Sequence, residues 1–319
     1  MTRIARSTAG RGRLRLTLAA AAALTAFTLG IGGAAAAPAE SAGDTGRPPP
    51  GYLLERVRFT PVTLPPGVED PTALGIGPTG LNDRRHIVGS YDDVAADATR
   101  GFLLKRGRFA TVHVPGAKST QAQGINNRGQ IVGVYSNDSN AISAPDATRR
   151  GFLLDRGRYI RLDVPGARKS QAYDINDRGQ IVGEYMDANG RFHGYLWERG
   201  RFRTIDVPGQ SSTAATGINN RSQITGGAGP SSASVGFLLD RGRFTSFSVP
   251  GAQVTFPLGI NDQGQIVGFS ISSPTATTPS GFLRDARGRF TAINRPGAVG
   301  TAAFDINNRG QIAIIAPGP

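Results

Sequence analysis

The chain has 319 residues, no cysteine, and 36 Lys and Arg residues against 23 Asp and Glu residues. Without cysteine, disulfides and a lipid anchor attached to a cysteine are excluded, so the fold must depend on its hydrophobic core. The formal charge of +13 bears on solubility and partners rather than on the fold.

The first 36 residues have the order of a secretory signal peptide. Five arginines precede an apolar run from Leu16 to Ile31, and the small residues Ala34–Ala36 follow. The run is Ala-rich and short for a bilayer span. We therefore expect cleavage, secretion and no membrane insertion of the mature chain, with an uncleaved N-terminal anchor as the alternative. Residues 37–50 end in three prolines and are predicted to be a Pro/Gly-rich linker.

Residues 51–319 contain six copies of one pattern. Each copy has an apolar segment such as Gly-Phe-Leu-Leu, a basic turn, a stretch that ends in Pro-Gly, and a segment such as Gly124–Gly133. The copies open at Gly51, Gly101, Gly151, Gly194, Gly236 and Gly281. A period of 42 to 50 residues is that of a four-stranded propeller blade.

Every copy predicts four short strands, because β-branched and aromatic runs alternate with Gly, Pro, Asn and Asp. In the third copy these strands are Gln171–Ile175, Gln180–Tyr185, Gly194–Glu198 and Phe202–Val207. The fourth strand is expected to end at the proline of each Pro-Gly, because proline has no N–H for a ladder.

A tight turn joins the first two strands, and its opening Asn fixes a type I turn. That Asn is present in all six copies, at Asn82, Asn126, Asn176, Asn219, Asn261 and Asn307.

The fold prediction is therefore all-β, a six-bladed β-propeller of four-stranded antiparallel blades. The chain begins with third and fourth strands and ends with first and second strands, so we expect the N- and C-terminal strands to pair and close the ring. Six unclosed blades in another phase, or an open solenoid, are the alternatives.

The repeat resembles the HAF-family extracellular repeat, through Gly124–Gly133 together with Gly151–Ala167. The resemblance covers essentially all of the chain after the linker. It implies a secreted or surface bacterial protein, and it implies no catalytic residue. The last copy departs from the pattern at Ile314, and the first copy departs at Val57.

Both tight hairpins of each blade are expected on one end of the ring, which we call the hairpin face. This face collects 19 cationic side chains against eight acidic ones. The candidate anion-binding residues are Arg84, Arg85, Arg106, Arg108, Arg128, Arg156, Arg158, Arg178, Arg199, Arg201, Arg221, Arg241, Arg243, Arg287, Arg289 and Arg309. Guanidinium groups bind repeated phosphates or carboxylates bidentately. The alternative is that these are solvated turn residues, neutralised by neighbouring acids.

The opposite end carries variable loops whose aspartates are weak candidates for Ca²⁺ ligands. They are Asp92, Asp93, Asp97, Asp138, Asp146 and Asp187. The three histidines fall in separate contexts, and we predict no metal site and no cofactor.

Asp174 and Asp305 replace the Gly that precedes Ile-Asn in the other copies, so they are expected to point inward. As a pair of carboxylates they form the alternative, enzymatic hypothesis: a carbohydrate-active hydrolase or lyase. If they are instead the polar lining of a wet channel, they have no catalytic role.

The preferred hypothesis is a secreted, monomeric binding module at the bacterial surface without enzymatic activity. Its expected partner is an anionic cell-wall polymer, a glycan or a surface protein. Nucleic acid is not expected, because the aromatic residues do not interleave with the turn arginines.

Overall fold

The structure is a computed structural model that describes residues 51–56, 58–62, 77–93, 96–138, 147–273 and 278–318. The predicted signal peptide and linker, and also Val57 and Asp146, lie outside these residues. The described part is all-β, with 24 strands in six antiparallel four-stranded sheets. The prediction of a six-bladed β-propeller is confirmed.

The first twelve strands are β1 (Gly51–Glu55), β2 (Arg58–Pro61), β3 (Gly77–Leu81), β4 (Ile87–Asp93), β5 (Ala98–Lys105), β6 (Arg108–Val112), β7 (Ser119–Ile125), β8 (Ile131–Ser136), β9 (Arg150–Asp155), β10 (Arg158–Leu162), β11 (Lys169–Ile175) and β12 (Ile181–Met186). The other twelve are β13 (Phe192–Glu198), β14 (Arg201–Ile205), β15 (Thr213–Ile218), β16 (Ile224–Ala228), β17 (Val235–Asp240), β18 (Arg243–Phe247), β19 (Val254–Ile260), β20 (Ile266–Ile271), β21 (Ser280–Arg284), β22 (Phe290–Ile293), β23 (Ala302–Ile306) and β24 (Ile312–Ile315).

Blades 1 to 5 are consecutive groups of four strands, from β3–β6 to β19–β22. The sixth sheet has the order β2-β1-β24-β23, so it takes strands from both ends of the described chain. In that sheet β1 pairs antiparallel with β24, with Gly51 opposite Ile315 and Leu54 opposite Ile312.

The first strand of each blade lines the axis and carries a bulge at the same place in all six copies. Neighbouring first strands approach closely just after the bulge. A Cβ on Gly124 would lie 2.8 Å from the Cα of Asp174, and one on Gly259 would lie 2.7 Å from the Cα of Asp305. Glycine at these two positions therefore follows from backbone packing around the axis.

The core lies between blades. In blades 1 to 5 the third strand contributes an aromatic ring that is at most 2% exposed. These rings are Phe102, Phe152, Tyr195, Phe237 and Phe282. Each ring covers a glycine of the second strand: a Cβ on Gly133 would lie 2.9 Å from Phe152. Fixed ring contacts of this kind explain why the aromatic and the glycine recur together in the sequence.

The fourth strands of blades 1 to 5 end three residues before their prolines, earlier than predicted. At Val114 the N–H leaves the sheet and donates to Thr120 Oγ1 of the next blade at 3.1 Å. The equivalent bond is made at three other connections. At these connections the hydrogen bond to a threonine hydroxyl of the following blade replaces the β-ladder bond, so the strand ends before the proline is reached.

No helix in the described residues is long and apolar enough to cross a membrane.

Candidate functional site

The first hairpin of every blade is fixed by its opening Asn. In blade 2 Asn126 Oδ1 accepts hydrogen bonds from the N–H groups of Arg128 and Gln130, both at 3.0 Å. The N–H of Gly129 donates to the Asn126 carbonyl at 3.0 Å, which closes the turn. The same carboxamide contacts recur in all six copies. The predicted role of Asn in the turn is therefore seen directly.

The same six asparagines also connect the blades to one another. Asn82 Nδ2 donates to the carbonyl of Asn126 at 3.0 Å, and Asn126 Nδ2 donates to the carbonyl of Asn176 at 3.0 Å. Three further bonds continue the series, and Asn307 Nδ2 donates to the carbonyl of Asn82 at 3.1 Å. The series is a complete circuit around the axis.

A second circuit, which we call the axial ring, is formed by the residue after each opening Asn. Its members alternate around the axis between Asp and Asn: Asp83, Asn127, Asp177, Asn220, Asp262 and Asn308. The N–H of each member donates to Oδ1 of the next, at 2.7 to 2.9 Å.

The alternation has an electrostatic reason. Asn127 Nδ2 donates to Asp83 Oδ2 at 2.8 Å and to Asp177 Oδ2 at 2.9 Å. Asn220 and Asn308 bridge their two flanking carboxylates in the same way. Six aspartates in this ring would repel one another, and six asparagines would have too few oxygen acceptors for their side-chain N–H groups. With alternation, both N–H groups of each Asn side chain donate to the two flanking carboxylates.

Below the axial ring lies the axial pocket, whose walls include Asp174 and Asp305. These residues belong to blades 3 and 6, on opposite sides of the ring. Asp174 Oδ1 accepts from the N–H of Ile175 at 2.7 Å, and its Oδ2 accepts from the N–H of Ile218 at 2.8 Å. Asp305 is held in the same way by Ile306 and Leu81. Each carboxylate therefore ties two neighbouring blades together.

The two carboxylates also influence each other. Burial raises the pKa of Asp174 to about 6, although the two N–H donors oppose this shift. Burial and then the charge of Asp174 raise the pKa of Asp305 well above its usual value. Ionisation of Asp174 therefore disfavours ionisation of Asp305.

The size of the axial pocket bears on the enzymatic hypothesis. Its volume is about 60 Å³, and one water needs roughly 10–15 Å³ of such volume. The pocket therefore holds a few waters and is too small for a sugar ring. The hypothesis of a catalytic Asp174 and Asp305 pair would need the pocket to widen, and the contacts just described favour a structural role.

Around the axial ring lie the 16 predicted arginines, which we call the rim. All 16 are exposed. Only Arg85, with Glu55, and Arg289, with Asp285, form ion pairs within 4.0 Å among the described residues.

The other acids of the hairpin face are mostly engaged elsewhere. Three of them belong to the axial ring. Glu198 accepts from Gln180 Nε2 at 3.0 Å, and Asp240 accepts from Gln223 Nε2 at 3.1 Å. Direct ion pairs with acids, which the alternative explanation of the rim involves, are thus limited to two of these arginines among the described residues.

The second hairpin places its arginines in an unusual backbone conformation. Arg106, Arg156, Arg199 and Arg241 have φ of 49° to 51°, and the Gly after each has φ of 74° to 82°. Two successive positive φ angles define a type I′ turn, which favours Asn or Gly at its first position. A non-glycine residue in the left-handed region costs roughly 1–2 kcal/mol. Turn geometry alone does not explain these arginines.

At the opposite end, the candidate Ca²⁺ ligands are mostly bound within the chain. Asp92 accepts from Thr99 Oγ1 at 3.0 Å, and Asp187 Oδ1 accepts from the N–H of Asn189 at 2.9 Å. Asp138 accepts from the N–H of Thr148. The described residues contain no group of three His, Cys, Asp or Glu side chains that could hold a metal ion.

His193 is the one histidine in contact with carboxylates in the described chain. Its Nδ1 lies 3.0 Å from both oxygens of Asp206, and its Nε2 lies 3.4 Å from Asp187 Oδ2. Its ring stacks on Tyr185 with centroids 5.1 Å apart. This cluster anchors the loop between the second and third strands of blade 3.

Comparisons with known proteins support the fold and no more. No family model and no curated protein matches the chain. The chain is similar to the crystal structure of TolB from Acinetobacter baumannii, at 14% identity and a TM-score of 0.52, over 77% of this chain and 64% of that chain. It is also similar to a TolB-type structure from Agrobacterium tumefaciens, at 11% identity and a TM-score of 0.53, over 75% and 88% of the two chains. Identities this low show a shared propeller fold alone.

Proposed function

We propose that the protein is a secreted binding module at the bacterial surface, and that its rim binds an anionic envelope polymer or glycan. The resemblance to the HAF extracellular repeat and the signal-peptide pattern support the location. A propeller scaffold supports the role of a binding module, because it holds many turns rigidly on one face.

The observation that carries this proposal is the placement of arginine in the type I′ turns. Arg106, Arg156, Arg199 and Arg241 occupy a left-handed position that Asn or Gly would fill at lower cost. The same residue type recurs there, exposed and without a carboxylate within 4.0 Å among the described residues. Arginine at a costly position in four blades is expected if the side chain meets a ligand.

The arrangement of the rim also fits a polymer better than a single ion. Each guanidinium binds phosphate or carboxylate through paired N–H donors. Repeated weak contacts from several blades add through effective concentration, so a long polyanion gains affinity that its monomer lacks. Exposed charge pairs are screened by salt, so this binding should weaken steeply as ionic strength rises.

The test compares two triple variants of equal charge. Arg106→Asn, Arg156→Asn and Arg199→Asn remove rim charges while leaving residues that favour the turn. Arg161→Ser, Arg168→Ser and Arg191→Ser remove three exposed arginines that lie outside the rim. Binding of purified wall teichoic acid and of polygalacturonate is measured by titration at low and high salt.

We expect the rim variant to bind at least one of the two polymers about tenfold more weakly at low salt. The control variant should stay within about threefold of the parent, because it loses only long-range attraction. Equal binding by the rim variant and the control variant would contradict the proposal.

A further inference from the structure

A groove with a volume of about 520 Å³ lies between blades 3 and 4 and reaches their hairpin turns. Its blade 3 wall is the outer strand β14, which contributes Arg203. Its blade 4 wall is formed by the two hairpin turns with Arg221 and Arg241. The volume falls in the range of roughly 300–1,000 Å³ that is typical of ligand sites, whereas the axial pocket does not.

The groove combines cationic walls with an apolar floor. Ile205, Ile224 and Leu239 line it, and they are at most 8% exposed because they belong to the core shared by the two blades. Phe244, which is half-buried, also lines it and packs edge-on against Phe237. A ligand that fills the groove therefore needs an apolar surface as well as negative charge.

The three arginines lack carboxylate partners within 4.0 Å in the described structure. The acid that lines the groove, Asp206, lies with both oxygens 3.0 Å from His193 Nδ1. The charge presented to a ligand in the groove is thus positive.

No other described blade boundary repeats this arrangement in sequence. The position of Arg203 is occupied by Ile160 in blade 2, Ala110 in blade 1 and Thr245 in blade 4. The position of Arg221 is occupied by Gln263 in blade 5. Arg203 is therefore specific to this boundary, whereas an arginine at the position of Arg221 is common to most blades. The Nη2 of Arg221 lies 3.4 Å from where a Cβ on Gly264 would be, so this guanidinium extends over the first turn of blade 5, and we assign Arg203 and Arg241 to the groove.

We propose that this groove binds an acidic sugar unit, a pyranose ring that carries a carboxylate. The guanidinium groups of Arg203 and Arg241 bind the carboxylate, and the C–H face of the ring covers the apolar floor beside Phe244. The inference rests on the proposed function, for which it names the specific subsite: the rim supplies avidity along a polymer, and the groove selects one of its units.

The test removes the two arginines assigned to the groove. Arg203→Ile installs the residue found at Ile160, and Arg241→Asn leaves a residue that the type I′ turn favours. The matched control is Arg161→Ile with Arg168→Asn, because these arginines are exposed, lie outside both the rim and the groove, and remove the same charge. Trigalacturonate, tripolyphosphate and maltotriose are the probes, and urea unfolding checks that all variants fold alike.

We expect the groove variant to bind trigalacturonate at least tenfold more weakly than the parent, and the control to stay within about twofold. Maltotriose should not bind, because it lacks the carboxylate. Unchanged trigalacturonate binding by the groove variant would overturn the site. Tighter binding of tripolyphosphate than of trigalacturonate would overturn the acidic sugar as its ligand.

These outcomes separate the groove from the proposed function. If the rim variant loses polymer binding while the groove variant keeps its affinity for trigalacturonate, the groove is refuted and the rim proposal stands. If the groove variant loses trigalacturonate while the rim variant binds both polymers like the parent, the rim proposal is refuted and the groove stands.

Discussion

The centre and the rim of the hairpin face lie on the same end of the ring, yet their charged groups behave differently. At the centre, the carboxylates of Asp83, Asp177 and Asp262 are bridged by asparagine amides. On the rim, which combines arginines of these same turns with arginines of the second hairpins, every arginine is exposed, and two are ion-paired among the described residues. Satisfied polar groups stabilise a fold, whereas exposed and unpaired ones are available to a ligand.

The largest expected effect comes from breaking the central circuits. Removal of residues 302–319 deletes β24, which pairs with β1, together with β23 and the turn that carries Asn307 and Asn308. We expect the truncated chain to lose its single cooperative unfolding transition in urea, because both circuits and one sheet are interrupted. A truncated chain that unfolds with an unchanged midpoint would contradict closure of the ring and favour an open solenoid.

A single substitution should show that the centre depends on alternation. Asn127→Asp removes both bridging N–H donors and places a third carboxylate between those of Asp83 and Asp177. We expect a loss of about 2–4 kcal/mol in the free energy of unfolding at pH 7, from lost charge-assisted bonds and added repulsion.

The neighbouring rim residue is the control for this substitution. Arg128→Ala, one residue further in the same turn, should change the free energy of unfolding by less than about 0.5 kcal/mol, because its side chain is exposed. If Asn127→Asp is as stable as Arg128→Ala, the axial ring does not stabilise the fold.

The buried acids predict how stability depends on pH. The pKa of Asp174 is raised to about 6, and that of Glu184, which is 1% exposed, is raised to about 7, both chiefly by burial. A raised pKa in the folded state means that stability is fully present below the unfolded value and is lost as pH rises through the folded value. We therefore expect unfolding free energy to increase by about 4 kcal/mol from pH 8 to pH 5, because about 1.4 kcal/mol per pKa unit applies over one pH unit for Asp174 and over two for Glu184.

Substitutions assign this pH dependence to the buried acids. Glu184→Gln and Asp305→Asn should each flatten part of the change between pH 8 and pH 5. Asp285→Asn is the control, because hydrogen bonds from Arg289 lower the pKa of Asp285 and its effect should appear only below about pH 4. Stability that is constant from pH 8 to pH 5 in the parent would contradict the assignment.

The sequence predicted the structural features that lie within a single copy of the repeat. Period, strand pattern and the opening Asn predicted the blades, because each is a local signal. The position of Asp174 and Asp305 on the axis followed from the same register. The HAF resemblance, secretion and the absence of enzymatic activity stay predictions.

What the sequence did not predict depends on contacts between copies. The alternation of Asp83 and Asn127 was visible in the sequence, but its meaning requires a ring in which each residue touches both neighbours. The groove at Arg203 depends on which side chains of blade 4 face β14. The ends of the fourth strands depend on hydroxyls such as Thr120 in the following blade.

The smallest expected effect is a change in the free energy of unfolding caused by substitution of a rim arginine. Arg156→Asn places a residue that tolerates the left-handed region at a φ of 49°. We expect it to increase the free energy of unfolding by about 0.5 kcal/mol, and the triple rim variant with Arg106→Asn and Arg199→Asn by about 1–2 kcal/mol.

The test measures urea unfolding and polymer binding on the same samples. If the rim arginines are retained for binding, the Asn variants should unfold with a higher free energy and bind the polymers more weakly than the parent. If the triple variant is destabilised, the arginines support the turns themselves, and the cost assigned to their left-handed conformation is wrong.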